Sequence, residues 1–193
     1  MPTVVEPDEL PKRIWIRGTS GSGKSRLACD AAKILQIPYV DLDDLWHLPG
    51  WQEREVEEFQ ELVSQVVAKD AWVLAGNYSK VVDIVMDRVD TVVWLDYSLP
   101  LVLRRVTWRT ARRIVLRERC CNGNIEAFWR TFTRESIIVW AYTSYNKNRR
   151  KCDELLASKP AAVTFRRFQK PVEAKDWLAA LAKSKTVCPD YRH

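Results

Sequence analysis

Residues 18–25 read Gly18-Thr19-Ser20-Gly21-Ser22-Gly23-Lys24-Ser25, and this run constrains the fold more tightly than any other part of the chain. It matches the phosphate-binding pattern G-x-x-x-x-G-K-S/T in full. The apolar triplet Ile14-Trp15-Ile16 stands before it, and Leu27, Ala28, Ala31, Ala32 and Leu35 recur behind it at helical spacing. The pattern is therefore strand, glycine-rich loop, helix. Glycines let successive backbone N–H groups turn inward around phosphate oxygens, and the start of the helix adds the positive end of its dipole. Lys24 can then reach the β- and γ-phosphates of a nucleotide, and the Ser25 hydroxyl can ligate Mg²⁺. A Gly/Ser-rich surface turn accounts for neither Lys24 nor Ser25. The expected site comprises Gly18, Ser20, Gly21, Ser22, Gly23, Lys24 and Ser25 with Arg26 beside them, holding ATP and Mg²⁺.

The rest of the chain supports an α/β reading. Short runs rich in aromatic and β-branched residues lie at 14–16, 39–42, 72–74, 91–95 and 163–168. Helical patterns start near Lys24, Glu53, Ser79 and Pro100, and again after Pro171. Strands alternating with helices predict a parallel five-stranded sheet flanked by helices on both faces. Val92-Val93-Trp94-Leu95 is apolar at every position, as a strand buried on both sides requires. The chain has 193 residues, which suits one domain. The expected division is an irregular arm over 1–12 with Pro2, Pro7 and Pro11, a domain over 13–185, and a tail over 186–193.

Composition excludes several classes. No apolar run nears the ~20 residues that a membrane-spanning helix needs. The first eight residues carry neither a basic head nor an apolar stretch, so the expectation is a cytoplasmic protein with no membrane partner. Five cysteines form no C-x-x-C pair and leave an odd one, which argues against a disulfide framework or a zinc site. With only His47 and His193, a histidine-rich metal site is excluded, and His47 between Trp46 and Leu48 reads as a packing residue. The net charge of +6 favours acidic ligands, and seven arginines (Arg104, Arg105, Arg109, Arg112, Arg113, Arg117 and Arg119) are concentrated in one short segment. Such a segment suits either a polyphosphate or a nucleic acid backbone.

Two further constellations carry chemistry. Asp41-Leu42-Asp43 follows the second strand, where alternation places both carboxylates on one side at the strand's carboxyl end. That edge of an open parallel sheet is where ligands bind. One carboxylate can serve Mg²⁺ and the other can orient an acceptor hydroxyl; alternatively, the acids simply end the strand and cap the next helix. The second constellation is a helix running from Pro100 to about Leu116, which carries Arg105, Arg109, Arg112 and Arg113 on one stripe. Cys120-Cys121-Asn122-Gly123-Asn124 breaks it, and a second helical stretch runs over about 127–156. Two helices around an Asn/Gly-rich break read as a hinged flap.

These features together resemble the adenylate kinase-like branch of P-loop kinases, which includes nucleoside monophosphate kinases and shikimate kinases. Asp41-x-Asp43 is similar to the D-x-D of shikimate kinases. Asp96 followed by Arg105 and Arg109 is similar to the D…R…R segment of adenylate kinases, and Lys170-Pro171-Val172 to their adenine-cupping turn. Closer likenesses run to small bacterial topology-modulation (adenylate kinase-related) proteins, through Leu42-Asp43, Leu48-Pro49-Gly50-Trp51, Gly76-Asn77-Tyr78 and Trp94-Leu95-Asp96. The resemblance implies a P-loop NTPase three-layer fold with a helical lid over about 117–134. It implies Lys24, Asp43, Arg105 and Arg109 as catalytic residues, and Ser25, Asp41, Asp43 and Asp96 at the metal. ATP would meet the glycine loop, Arg105, Arg109, Lys170, Pro171 and Val172. The acceptor would meet Asp43, Trp51, Gly76, Asn77, Tyr78 and Arg134.

The chain also departs from that pattern. Ala75 and Ser79 occupy the places of the acid and of the monophosphate-gripping arginine in adenylate kinases. The shikimate-binding arginine is missing as well, with Gln60 and Glu61 in the matching region. The expected activity is transfer of the ATP γ-phosphoryl group to a small acceptor, either a nucleoside monophosphate or a hydroxylated metabolite. The alternative is an ATP-switched regulatory or DNA-binding protein that lays its arginine helix on nucleic acid.

Overall fold

A computed structural model describes residues 10–116, 119–120, 124–125 and 137–187. Five strands form one parallel sheet: β1 (Arg13–Gly18), β2 (Tyr39–Asp41), β3 (Trp72–Ala75), β4 (Thr91–Leu95) and β7 (Thr164–Phe168), in the order β2-β3-β1-β4-β7. Each predicted strand falls within a residue or two of its observed counterpart. After β1 the chain runs out to β2, returns through β3, and then crosses to β4 on the other side. The glycine loop thus leaves the central strand where strand order reverses, the position at which open α/β sheets bind ligands.

The helices are α1 (Lys24–Leu35), α2 (Leu42–Trp46), α3 (Val56–Val67), α4 (Val82–Met86), α5 (Leu99–Leu116), α6 (Ile137–Ser158) and α7 (Pro171–Val187). Two-residue strands β5 (Arg119–Cys120) and β6 (Asn124–Ile125) pair in antiparallel fashion beyond α5. The predicted flap over 117–134, with Arg117 and Arg134, otherwise lies outside the described residues. Among the described residues, no helix is long and apolar enough to cross a membrane.

Alternation along β1 splits the core in two. Ile14 and Ile16 face Leu27, Ala28 and Ala31 of α1 and Trp177 and Leu181 of α7. Trp15 faces the opposite way, toward Phe59 and Val63 of α3 and Val85 of α4. The resulting three layers are what a sheet buried on both faces must have. Trp15, Trp72 and Trp94, three of the nine tryptophans, are completely buried. Two of them satisfy the indole N–H internally: Trp15 Nε1 donates to the Gly76 carbonyl at 3.1 Å, and Trp72 Nε1 to that of Val67 at 3.3 Å. Unpaired, each such donor would cost about 1–3 kcal/mol.

Arg17 is the exception on this core face. It is 2% exposed, its guanidinium lying 4.2 Å above the Trp15 ring and against the thiol of Cys152 on α6. Burial lowers the Arg17 pKa, and Cys152 partly offsets this. Among the described residues, Cys29 and Cys152 are free thiols.

Candidate nucleotide and acceptor site

The glycine loop is built from glycines that could be nothing else. Gly21 has φ +85°, and a Cβ there would lie 2.9 Å from the Val102 carbonyl oxygen and 3.0 Å from the Val106 Cβ. Helix α5 therefore rests directly on the loop. Gly23 caps α1 in the left-handed region at φ +94° and carries no side-chain cap. The first turn of α1 holds no acidic residue, so its amides and the half-buried Lys24 and Ser25 form a rim free of carboxylates and rich in donors. This chemistry fits a polyphosphate. Arg26, by contrast, is exposed and pairs with Asp30 at 3.6 Å, one helical turn on. Ser20, between Thr19 and Gly21, is half-buried in the bend of the loop.

Arg105 reaches over the same loop from α5. Its Nη1 donates to the Ser22 carbonyl at 3.0 Å, and its guanidinium lies 5.3 Å from the Tyr97 ring. Arg109 is one turn further along α5 and half-buried. Burial raises the pKa of Tyr97, and the charge of Arg105 opposes the shift.

The two carboxylates after β2 are brought together differently from the expected alternation. The strand stops at Asp41, which becomes the N-cap of α2: its Oδ1 accepts the Asp43 N–H at 3.1 Å. Capping a short helix, rather than strand pleat, sets Asp41 and Asp43 side by side. Tyr39, not anticipated from sequence, ties this pair to the phosphate loop. Its hydroxyl donates to Asp41 Oδ2 at 2.9 Å and also hydrogen-bonds with Ser25. Tyr78 donates to Asp43 Oδ1 at 2.8 Å. Ser25, Tyr39, Asp41, Asp43 and Tyr78 thus form one continuous polar chain from the loop to the residues after β3.

Burial, then the charge and hydrogen bond of Asp41, raise the pKa of the Tyr39 phenol well above its ordinary value, with Ser25 acting the other way. A proton bound more tightly in the folded state contributes stability that is complete below the ordinary tyrosine pKa of about 10 and fades as pH climbs toward the raised folded value. Urea midpoints measured from pH 9 to 11 are expected to fall more steeply for the wild type than for Tyr39→Phe. Parallel curves would show that the phenol is not held in this way.

Among the described residues, no three of His, Cys, Asp and Glu gather to hold a metal by themselves. Mg²⁺ does not need such a cage, because it is commonly bound through one or two carboxylates plus nucleotide phosphates. Ser25, Asp41 and Asp43 fit that pattern. Asp96 is placed otherwise. Its carboxylate is 1% exposed and clamped by two arginines, Arg149 Nε at 2.7 Å and Arg167 Nη2 at 2.5 Å. Its hydrogen bond raises the Arg149 pKa. Arg167 also lies 4.2 Å over the Trp94 ring. Sequence reading missed both arginines, which are 53 and 71 residues away from Asp96 along the chain.

Next to Tyr78, Trp46 is 5% exposed and packed against Phe59 and Tyr78, with the Lys80 ammonium 3.7 Å over its ring. Trp51 is half-buried in a left-handed conformation (φ +60°), its ring 5.6 Å from that of His47. Gly76 has φ +147°, and a Cβ there would lie 2.7 Å from Leu42 Cβ, so the chain turns away from the sheet at a residue that must be glycine. At the far edge of the sheet, Gln169 and Lys170 donate their N–H groups to Glu173 Oε2 at 2.7 and 3.2 Å. Pro171 opens α7, and Val172 stays 53% exposed beyond the same carboxyl ends of the strands.

This strand order, with the glycine loop on the central strand, defines an α/β protein with the P-loop kinase fold. The shikimate kinase of Acinetobacter baumannii, solved with shikimate, superposes with a TM-score of 0.55 at 17% identity, covering 93% of this chain and 95% of that one. The shikimate kinase of Bacteroides thetaiotaomicron gives 0.54 at 14% identity over 92% and 99%. A gluconokinase from Sinorhizobium meliloti 1021 gives 0.50 at 16% identity over 93% and 98%. At these identities the likeness is one of fold. No protein-family model and no curated protein matches the sequence.

Proposed function

We propose that the protein is a Mg²⁺-ATP-dependent phosphotransferase acting on a small acceptor. One observation carries the reading: the donor-rich, carboxylate-free loop of residues 18–25 is joined through Ser25 and Tyr39 to the carboxylates Asp41 and Asp43. Bound Mg²⁺-ATP would supply an activated phosphoryl group. The chain's own residues do the rest. The amides of Gly21, Gly23 and the first turn of α1 hold phosphate oxygens, while Lys24 neutralises charge at the far end. Ser25 and Asp41 would hold the metal. Asp43, fixed by Tyr78, orients the acceptor hydroxyl and takes its proton, or only orients an acceptor that is already a phosphate. Arg105 and Arg109 stabilise negative charge on the transferring group, a contribution of about 10³-fold or more in related chemistry. Lys170, Pro171 and Val172 are read as the contact for the nucleobase.

Of the stretches resembling topology-modulation proteins, those at 42–43, 48–51 and 76–78 follow β2 and β3, on the Asp43 side of the sheet, and we read Trp51, Tyr78 and Arg134 as contributors to acceptor binding. The acceptor is open between two classes. Ser79 in place of a phosphate-gripping arginine favours a hydroxylated metabolite over a nucleoside monophosphate. Incubation with Mg²⁺-ATP and a panel of nucleosides, nucleoside monophosphates and hydroxylated metabolites, read by phosphorus-31 spectroscopy, is expected to yield a new phosphate ester or phosphoanhydride. Salt-sensitive DNA binding with no new phosphorylated product from the panel would favour the nucleic-acid alternative instead.

A further inference from the structure

We infer that Asn77 is a positioning residue of the phosphate loop and not an acceptor ligand. The inference rests on the nucleotide reading above, but the geometry is its own argument. The Asn77 carboxamide grips a single residue at both ends: Oδ1 accepts the Gly18 N–H at 3.1 Å, and Nδ2 donates to the Gly18 carbonyl at 2.7 Å. Residues 77 and 18 are 59 apart in sequence, yet the contact takes up the role of strand pairing where the strands part.

Up to Ile16 and Ala75, β1 and β3 are paired by their backbones. The last such bond is from the Gly76 N–H to the Ile16 carbonyl at 3.2 Å. At Gly76 the backbone swings away over Leu42, which leaves the first glycine of the loop without a strand partner on that side. The Asn77 amide supplies both missing groups, one donor and one acceptor, from a side chain of the right length. Trp15 Nε1 meanwhile holds the Gly76 carbonyl. The polar groups of Gly76 and Asn77 that sequence reading offered to an acceptor are thus already engaged with β1 and the loop. Tyr78 and Asp43 remain for the acceptor.

Because the loop pivots on Gly18, releasing this clamp loosens every amide that follows, and the ordering cost then falls on nucleotide binding. Only a carboxamide satisfies both ends. Asn77→Asp keeps the acceptor for the Gly18 N–H but turns a second carboxylate oxygen toward the Gly18 carbonyl, and it adds negative charge at the root of a phosphate site. Asn77→Ala merely lets go.

The test combines Mg²⁺-ATP titration by calorimetry with amide hydrogen exchange on wild type, Asn77→Ala and Asn77→Asp. Asn77→Ala is expected to weaken Mg²⁺-ATP binding about tenfold, the scale of one to two net hydrogen bonds. Asn77→Asp should weaken it further. In the nucleotide-free protein, the Gly18 amide should lose about tenfold in protection in Asn77→Ala, while Ile14 and Val93 in the sheet keep theirs. A general loss of folding would lower all three amides together, and that result would overturn the inference. Unchanged Gly18 exchange and unchanged affinity in Asn77→Ala would overturn it too. If the wild type fails to bind Mg²⁺-ATP, the nucleotide reading falls, whereas selective loss of Gly18 protection would still support the clamp.

Discussion

Lys24→Ala is expected to abolish measurable turnover of Mg²⁺-ATP, a loss of about 10³-fold or more, while leaving the fold in place. The reason is charge at one point. The loop amides contribute partial charges, and Lys24 is the full cation within the motif that can follow the terminal phosphate. Its side chain is half-buried at the first position of α1, where alanine is an equally good or better helix former. Circular dichroism and the melting temperature should therefore stay within about 2 °C of wild type. Turnover that survives in this variant would place the chemistry elsewhere.

The second large effect is on stability. Asp96→Ala removes a buried carboxylate that neutralises two guanidinium groups, Arg149 on α6 and Arg167 on β7. Breaking a fully buried pair costs about 3–5 kcal/mol. Both arginines are about a third exposed, so water recovers part of that, and the loss should be about 2–3 kcal/mol. In a protein this size it lowers the melting temperature by roughly 4–12 °C. Because Asp96 also anchors α6, the same variant separates two roles. An anchoring carboxylate changes stability and leaves the Mg²⁺ requirement where it was. A weakened Mg²⁺ dependence at an unchanged melting temperature would instead mark Asp96 as a metal ligand.

The sheet was readable because its signals are local. Each strand announces itself in three to six adjacent residues, as Thr91–Leu95 does, and the eight-residue loop names the strand it follows. The helices were legible for the same reason, although α2 was not: five residues are too few to show a helical period, and its cap was hidden in Asp41. What sequence could not show is which distant side chains meet. Arg17 looks like any strand cation until β1 is seen to be central and buried. Arg149 and Arg167 sit in charge-rich stretches with nothing to single them out, yet both converge on Asp96. Tyr39 looked like an ordinary strand aromatic, and its link from Ser25 to Asp41 depends on β2 ending where it does. Nothing in the sequence around Trp46 says what its ring packs against, and its neighbours Phe59 and Tyr78 put it in the core. In each case a pattern within one element was readable, and a pairing across elements was not.

The central claim is that residues 18–25 hold a nucleotide triphosphate beneath Arg105. Calorimetric titration of the purified protein with ATP, with and without Mg²⁺, tests it most directly. Saturable one-to-one binding below millimolar concentration, lost in Lys24→Ala and weakened in Arg105→Ala, is the result expected. Absence of binding by the folded wild-type protein at millimolar Mg²⁺-ATP would contradict it.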